Sequence, residues 1–114
     1  MSENQIELNN NRKKQAGRLL KLMPDVSKHI IAQMEETYKD GAIDSKTKRL
    51  MATAIALGLG CRNCILGQAE AAIDSGASKE EFLETISVVL SIKGTTGMAE
   101  SIRLIQFLDE LEKL

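Results

Sequence analysis

The sequence predicts an all-α fold, a single small domain of five or six helices. Apolar residues recur at helical spacing in segments divided by glycine, serine and aspartate stops. Aromatic residues make up 3% of the chain and there is one proline, too few strand-formers and turn residues for an all-β protein. The length, 114 residues, leaves room for one hydrophobic core, and 43% hydrophobic with 27% charged residues is an ordinary globular mixture.

Residues 1–11 carry little apolar pattern and are expected to form a mobile arm ahead of a helical domain spanning 12–114. A short helix is predicted from Arg12 to Leu22, stopping at Pro24, with Asp25 or Ser27 capping the next. Ile30, Ile31, Met34 and Tyr38 carry that second helix to the stop at Asp40-Gly41. Asp44 or Ser45 caps a third segment, Lys46 to Leu57, which Gly58-Leu59-Gly60 interrupts. A fourth helix runs from Cys61 to Asp74. Ser78 with Glu81 forms a capping box that opens a fifth. Gly94-Thr95-Thr96-Gly97 lacks the lysine and length of a phosphate loop and reads as a helix stop followed by a threonine cap. The last helix, from Met98 to near Leu114, is apolar around more of its surface than one core face can cover. Such surplus is expected to be buried between copies of the chain.

Fifteen cationic and sixteen acidic side chains give a net charge of -1, which excludes the simplest nucleic-acid partner. No apolar run is long enough to cross a bilayer, and the polar start MSENQIELNNN lacks the apolar region of a secretion signal. A cytoplasmic protein with no membrane partner is expected.

The two cysteines form one motif, Cys61-Arg62-Asn63-Cys64, at a predicted helix start. Residues three apart share a helical face, roughly 5–6 Å between Cβ atoms, so the pair can close or open with little backbone motion. Helix N-terminal amides favour a thiolate over a thiol, and Arg62 adds a nearby positive charge. As a mere staple the bridge would be weak, restricting the unfolded chain by only about 2 kcal/mol. As a structural zinc site it is incomplete, since four ligands are needed. His29 lies on another helix and reads as a surface or packing residue. A redox dithiol therefore leads over two inert cysteines, with no metal and no cofactor expected.

Four features together resemble the carboxymuconolactone decarboxylase superfamily, in its alkylhydroperoxidase D-like branch. They are the helix opening Asp44-Ser45-Lys46-Thr47-Lys48, the sequence Gly60-Cys61-Arg62-Asn63-Cys64, the turn from Ala72 through Gly76-Ala77-Ser78 to Glu80-Glu81-Phe82, and the glycine break at 94–97. They stand in the family's order across about half the chain. The resemblance implies an all-helical trimer or hexamer whose two cysteines reduce hydroperoxides and are recycled by a dithiol reductant, such as a lipoylated or thioredoxin-like protein.

Two positions depart from that branch. Gln68 stands where it places a histidine, four residues after the second cysteine, and Arg49 where it places a glutamate. Those family residues move the proton off the attacking thiol. Glutamine does not titrate, and arginine keeps its proton at any ordinary pH. Gln68 nevertheless shares the helical face of Cys64, Arg49 is the member of the Lys46, Lys48, Arg49 cluster that would line the pocket, and Glu70 should point elsewhere. The expected function is a thiol–disulfide oxidoreductase with weak peroxidase activity, Cys61 and Cys64 being its catalytic residues. The helix terminus points to Cys61 as the attacking sulfur, and the resemblance points to Cys64. The competing expectations are a non-catalytic oligomer that binds a ligand or senses redox state and, further behind, a decarboxylase, which relies on no cysteine pair.

Overall fold

The computed structural model describes residues 3–114. Among them are five helices and no strand: α1 (Gln5–Leu22), α2 (Pro24–Tyr38), α3 (Ser45–Leu59), α4 (Arg62–Asp74) and α5 (Lys79–Glu110). No helix among the described residues is long and apolar enough to cross a membrane.

Capping chemistry sets most of the boundaries. The Asp44 carboxylate accepts the Thr47 amide at 2.7 Å and opens α3. Ser78 and Glu81 form the reciprocal capping box that opens α5. Lys46 then reaches Glu81 at 2.9 Å, tying the two helix starts together. The hydroxyl expected to cap α2 does something else. Pro24 occupies its first turn, no side chain caps it, and the buried Ser27 donates to the Leu20 carbonyl at 3.0 Å. Ser27 thus staples α2 to the end of α1.

Helix α3 is the centre of the molecule and packs on both α4 and α5. Leu57, Ile65, Leu66, Phe82, Leu104, Phe107 and Leu108 interlock in the core with essentially no solvent exposure. Helix α5 is interrupted at one residue: Gly94 takes φ 57°, ψ -132°, and helical geometry resumes directly after it. The glycine-threonine run is therefore a kink, and the second half ends at Glu110, short of Leu114.

The first helix corrects the sequence reading. It begins at Gln5, so residues 5–11 are its first two turns and not a mobile arm; for Met1 and Ser2 that expectation lies outside the described residues. Asn4 accepts the Glu7 amide at 2.8 Å. The Glu110 carboxylate, at the far end of the chain, accepts the amides of Gln5 at 3.0 Å and Ile6 at 2.8 Å. These bonds satisfy donors that every helix start leaves free. Gln5 and Asn9 are buried, and Ile6 and Leu8 pack against the core.

Helix α2 is held differently. Ser27 is its one buried residue. Its end is fastened to α3 by Lys48, which donates to the Thr37 carbonyl at 2.8 Å and the Lys39 carbonyl at 2.7 Å, and by Arg49 stacked on Tyr38. Lys48 and Arg49 thus fasten α2 to α3, while Lys46 of the same cluster turns to α5.

Partial burial alone would raise the affinity of Glu110 for a proton, but the amides of Gln5 and Ile6 and the Gln106 side chain outweigh it and hold the carboxyl below its ordinary value. A depressed folded-state value contributes stability above the unfolded value, near pH 4, and that stability is lost as pH falls through the lower folded value. Glu110→Ala is expected to cost about 1–2 kcal/mol at neutral pH, measured by urea unfolding. The difference from wild type should shrink below about pH 4.

Candidate functional site

Helix α3 ends in a Schellman motif. The Gly60 amide donates to the Leu57 carbonyl at 3.3 Å and the Cys61 amide to the Ala56 carbonyl at 3.1 Å. Gly60 sits at φ 69°, where a side chain would be strained and would also meet Glu100 at 3.4 Å. The motif delivers Cys61 in extended geometry to the N-cap of α4. Its Sγ accepts the Cys64 amide at 3.3 Å, the role a serine oxygen plays at other helix starts.

Cys61 and Cys64 are joined by a disulfide with a Cα separation of 5.2 Å. Cys61 is half-buried, whereas Cys64 is exposed and forms part of the wall of a groove of about 540 Å³ between α1 and α4. Leu8, Ala16 and Leu19 supply the apolar side of that groove, and Arg12, Arg62 and Gln68 the polar side.

The two positions singled out beside the cysteines do come together. Arg49 Nη1 donates to Gln68 Oε1 at 2.9 Å. The Arg49 guanidinium also lies over the Tyr38 ring, 3.4 Å from its centroid, a favourable cation–π arrangement. Gln68 therefore has one side on the Cys64 groove and the other on Arg49, and Arg49 continues into a second groove with Ile31, Met34 and Tyr38. The contact joins two side chains, neither of which is a base at ordinary pH.

Glu70 points away from the sulfurs, toward Asn9 at 2.8 Å, Lys13 at 3.3 Å and Arg12 at 3.8 Å. His29 is exposed. No group of three metal-ligating side chains is assembled among the described residues. Sequence reasoning missed Arg12 and Tyr38. Both reach the site through the docking of α1 and α2, which no local pattern announces. A signal for the length of α1 was available: Asn4 and Glu7 have the spacing of a capping pair.

The chain is 32% identical over 82 residues to a Paracoccus denitrificans protein named as uncharacterized protein 4 of the cox locus, covering 72% of this chain and 74% of the relative. It is 24% identical over 98 residues to an uncharacterized protein of Cupriavidus necator, covering 86% and 87% of the two chains. Among solved structures it is similar to an apo carboxymuconolactone decarboxylase family protein of Legionella pneumophila, with a TM-score of 0.84, 28% identity, and 95% and 97% of the two chains covered. A Thermotoga maritima protein of the same family, for which a part in an antioxidative response has been suggested, matches with a TM-score of 0.69 and 30% identity over 75% of this chain and 89% of that one. The sequence profile of the carboxymuconolactone decarboxylase family matches residues 24–106, which take in α2, α3, α4, the disulfide and most of α5, and the chain belongs to that family.

Proposed function

We propose that this protein is a thiol–disulfide oxidoreductase of the alkylhydroperoxidase D-like type. The observation that carries the reading is the Cys61–Cys64 bridge at the start of α4, with Cys64 open to a groove. The suggested antioxidative role of the Thermotoga maritima relative agrees with it.

The chemistry follows from the placement. In the reduced protein the Cys64 thiolate attacks one sulfur of a substrate disulfide, forms a mixed disulfide and expels the first thiolate. Cys61, held behind it by the helix start, attacks the Cys64 sulfur and expels the second. Two electrons pass to the substrate, and an external dithiol, such as a lipoylated or thioredoxin-like protein, reduces the bridge again. This cycle suits a reducing cytoplasm, where we place the protein.

Peroxide reduction makes a further demand. It forms a sulfenic acid at Cys64 and expels an alkoxide or hydroxide, a far more basic leaving group than a thiolate. That group needs a proton, and the Arg49–Gln68 pair has none to exchange. The site is therefore better suited to disulfides than to peroxides. Residual peroxidase activity should rise with pH as the attacking thiol ionises.

Apolar surface supports self-association, which we propose as a trimer or hexamer. Val26, Ile30, Ile31 and Met34 on α2 are 38–49% exposed, a stripe that an isolated chain leaves in water. Of the residues expected to spill from the C-terminal helix, Leu104, Phe107 and Leu108 are in the core, while Met98 and Ile102 remain exposed. Light scattering at micromolar concentration is expected to give a multiple of the chain mass. A clean monomer mass removes the assembly.

Serine at either cysteine should abolish repeated disulfide reduction with a dithiol donor. Cys61→Ser should also trap a mixed disulfide at Cys64, detected by intact mass, whereas Cys64→Ser should react slowly because its remaining sulfur is half-buried. Stoichiometric oxidation without turnover in the wild type would favour a redox sensor.

The relay geometry has its own test. Arg49→Glu combined with Gln68→His should raise peroxide turnover near neutral pH by about 10²-fold or more. A folded double variant with an intact dithiol and no gain would show that the pocket does not move protons in the way proposed.

A further inference from the structure

The groove beside Cys64 carries an uncompensated positive charge. Among the described residues its lining includes Arg12 and Arg62 and no carboxylate. Each arginine does have an acidic neighbour, but each neighbour is shared with a second cation. Glu70 lies 3.8 Å from Arg12 and 3.3 Å from Lys13. Glu3 lies 3.3 Å from Arg62 and 3.9 Å from Arg103. Each trio is left with one net positive charge, and each places one arginine, Arg12 or Arg62, on the groove.

Arg12 is also held in place. Its Nε donates to the Asn9 side chain at 2.8 Å. Its guanidinium lies against Gly67, so close that a methyl group there would stand 3.1 Å from Cζ. Gly67 is three residues beyond Cys64 on α4, about one helical turn. A preorganised cation thus sits about one turn from the exposed sulfur, on the same face of α1 as Leu8, Ala16 and Leu19.

We propose that this groove selects a carboxylate-bearing disulfide, whose anionic end rests against Arg12 and Arg62 and whose apolar stem lies on Leu8, Ala16 and Leu19 while its S–S bond meets Cys64. The proposal rests on the dithiol chemistry above and adds the class of substrate. The reaction is one dithiol protein plus one disulfide giving the Cys61–Cys64 bridge and two carboxylate thiols. No electron donor is needed for this half-reaction beyond the cysteines themselves.

The test follows one oxidation of fully reduced protein by 3,3′-dithiodipropionate and by its neutral dimethyl ester, with acid quenching, alkylation and intact mass. Each rate is divided by that of free dithiothreitol with the same probe, which removes intrinsic reactivity. The dianion is expected to be favoured, and salt should erode that preference. Arg12→Gln with Arg62→Gln should lower the dianion-to-ester rate ratio about tenfold, a ratio in which any change of thiolate population cancels, and the Arg→Lys pair should keep most of the preference. Equal responses of the two probes would overturn the proposal. Should the glutamine variant lose its helical circular dichroism, the wild-type salt series decides alone. Steady-state turnover with an external dithiol, measured in parallel, separates the two levels. Turnover without charge preference overturns the groove assignment, whereas charge-selective single oxidation without turnover overturns the catalytic cycle and upholds the groove.

Discussion

The left-handed turn at Gly60 is the constraint on which the site depends. It stops α3 after a full hydrophobic face has been presented, and it starts α4 at Cys61 with no intervening loop. The Schellman bonds satisfy the last carbonyls of α3, and the sulfur of Cys61 satisfies an amide of α4. One junction therefore serves the packing of two core helices and the geometry of the disulfide. Buried Ala56 and Leu57 before the turn, and Ile65 and Leu66 after it, lock the junction from both sides.

Around that junction the molecule divides its fastenings by kind. Helices α3, α4 and α5 are joined by aliphatic and aromatic burial. Helix α1 is joined at its start by Glu110 and along its length by the Asn9–Glu70 bond as well as by Ile6 and Leu8. Helix α2 is attached by Ser27, Lys48 and the Arg49–Tyr38 stack, with little apolar burial. This gradient places the attachment with the least apolar burial beside Arg49.

The Arg49–Gln68 pair links fold to chemistry. In the relay that the resemblance implies, these positions hold an acid and an imidazole. Here they hold an arginine and a glutamine joined by a hydrogen bond, neither of them a base at ordinary pH. An arginine at that place also stacks on Tyr38, a structural use that a glutamate could not serve.

Much of this was legible in sequence because it is local. Asp44, Ser78 with Glu81, and Gly60 act within four residues of themselves, so the starts of α3, α4 and α5 could be read from short-range hydrogen-bond chemistry. The same locality placed both cysteines at a helix N-terminus and Gln68 on the face of Cys64. Tertiary structure decided what depends on distant partners. Glu110 extends α1 back to Gln5 across more than a hundred residues, turning a polar segment without an apolar stripe into an ordered helix. Docking of α1 on α4 brings Arg12 to the groove, and the packed molecule leaves Cys64 exposed and Cys61 half-buried. Sequence spacing specifies which side chains share a face, whereas only the packed helices determine what that face meets and which sulfur is left open to solvent.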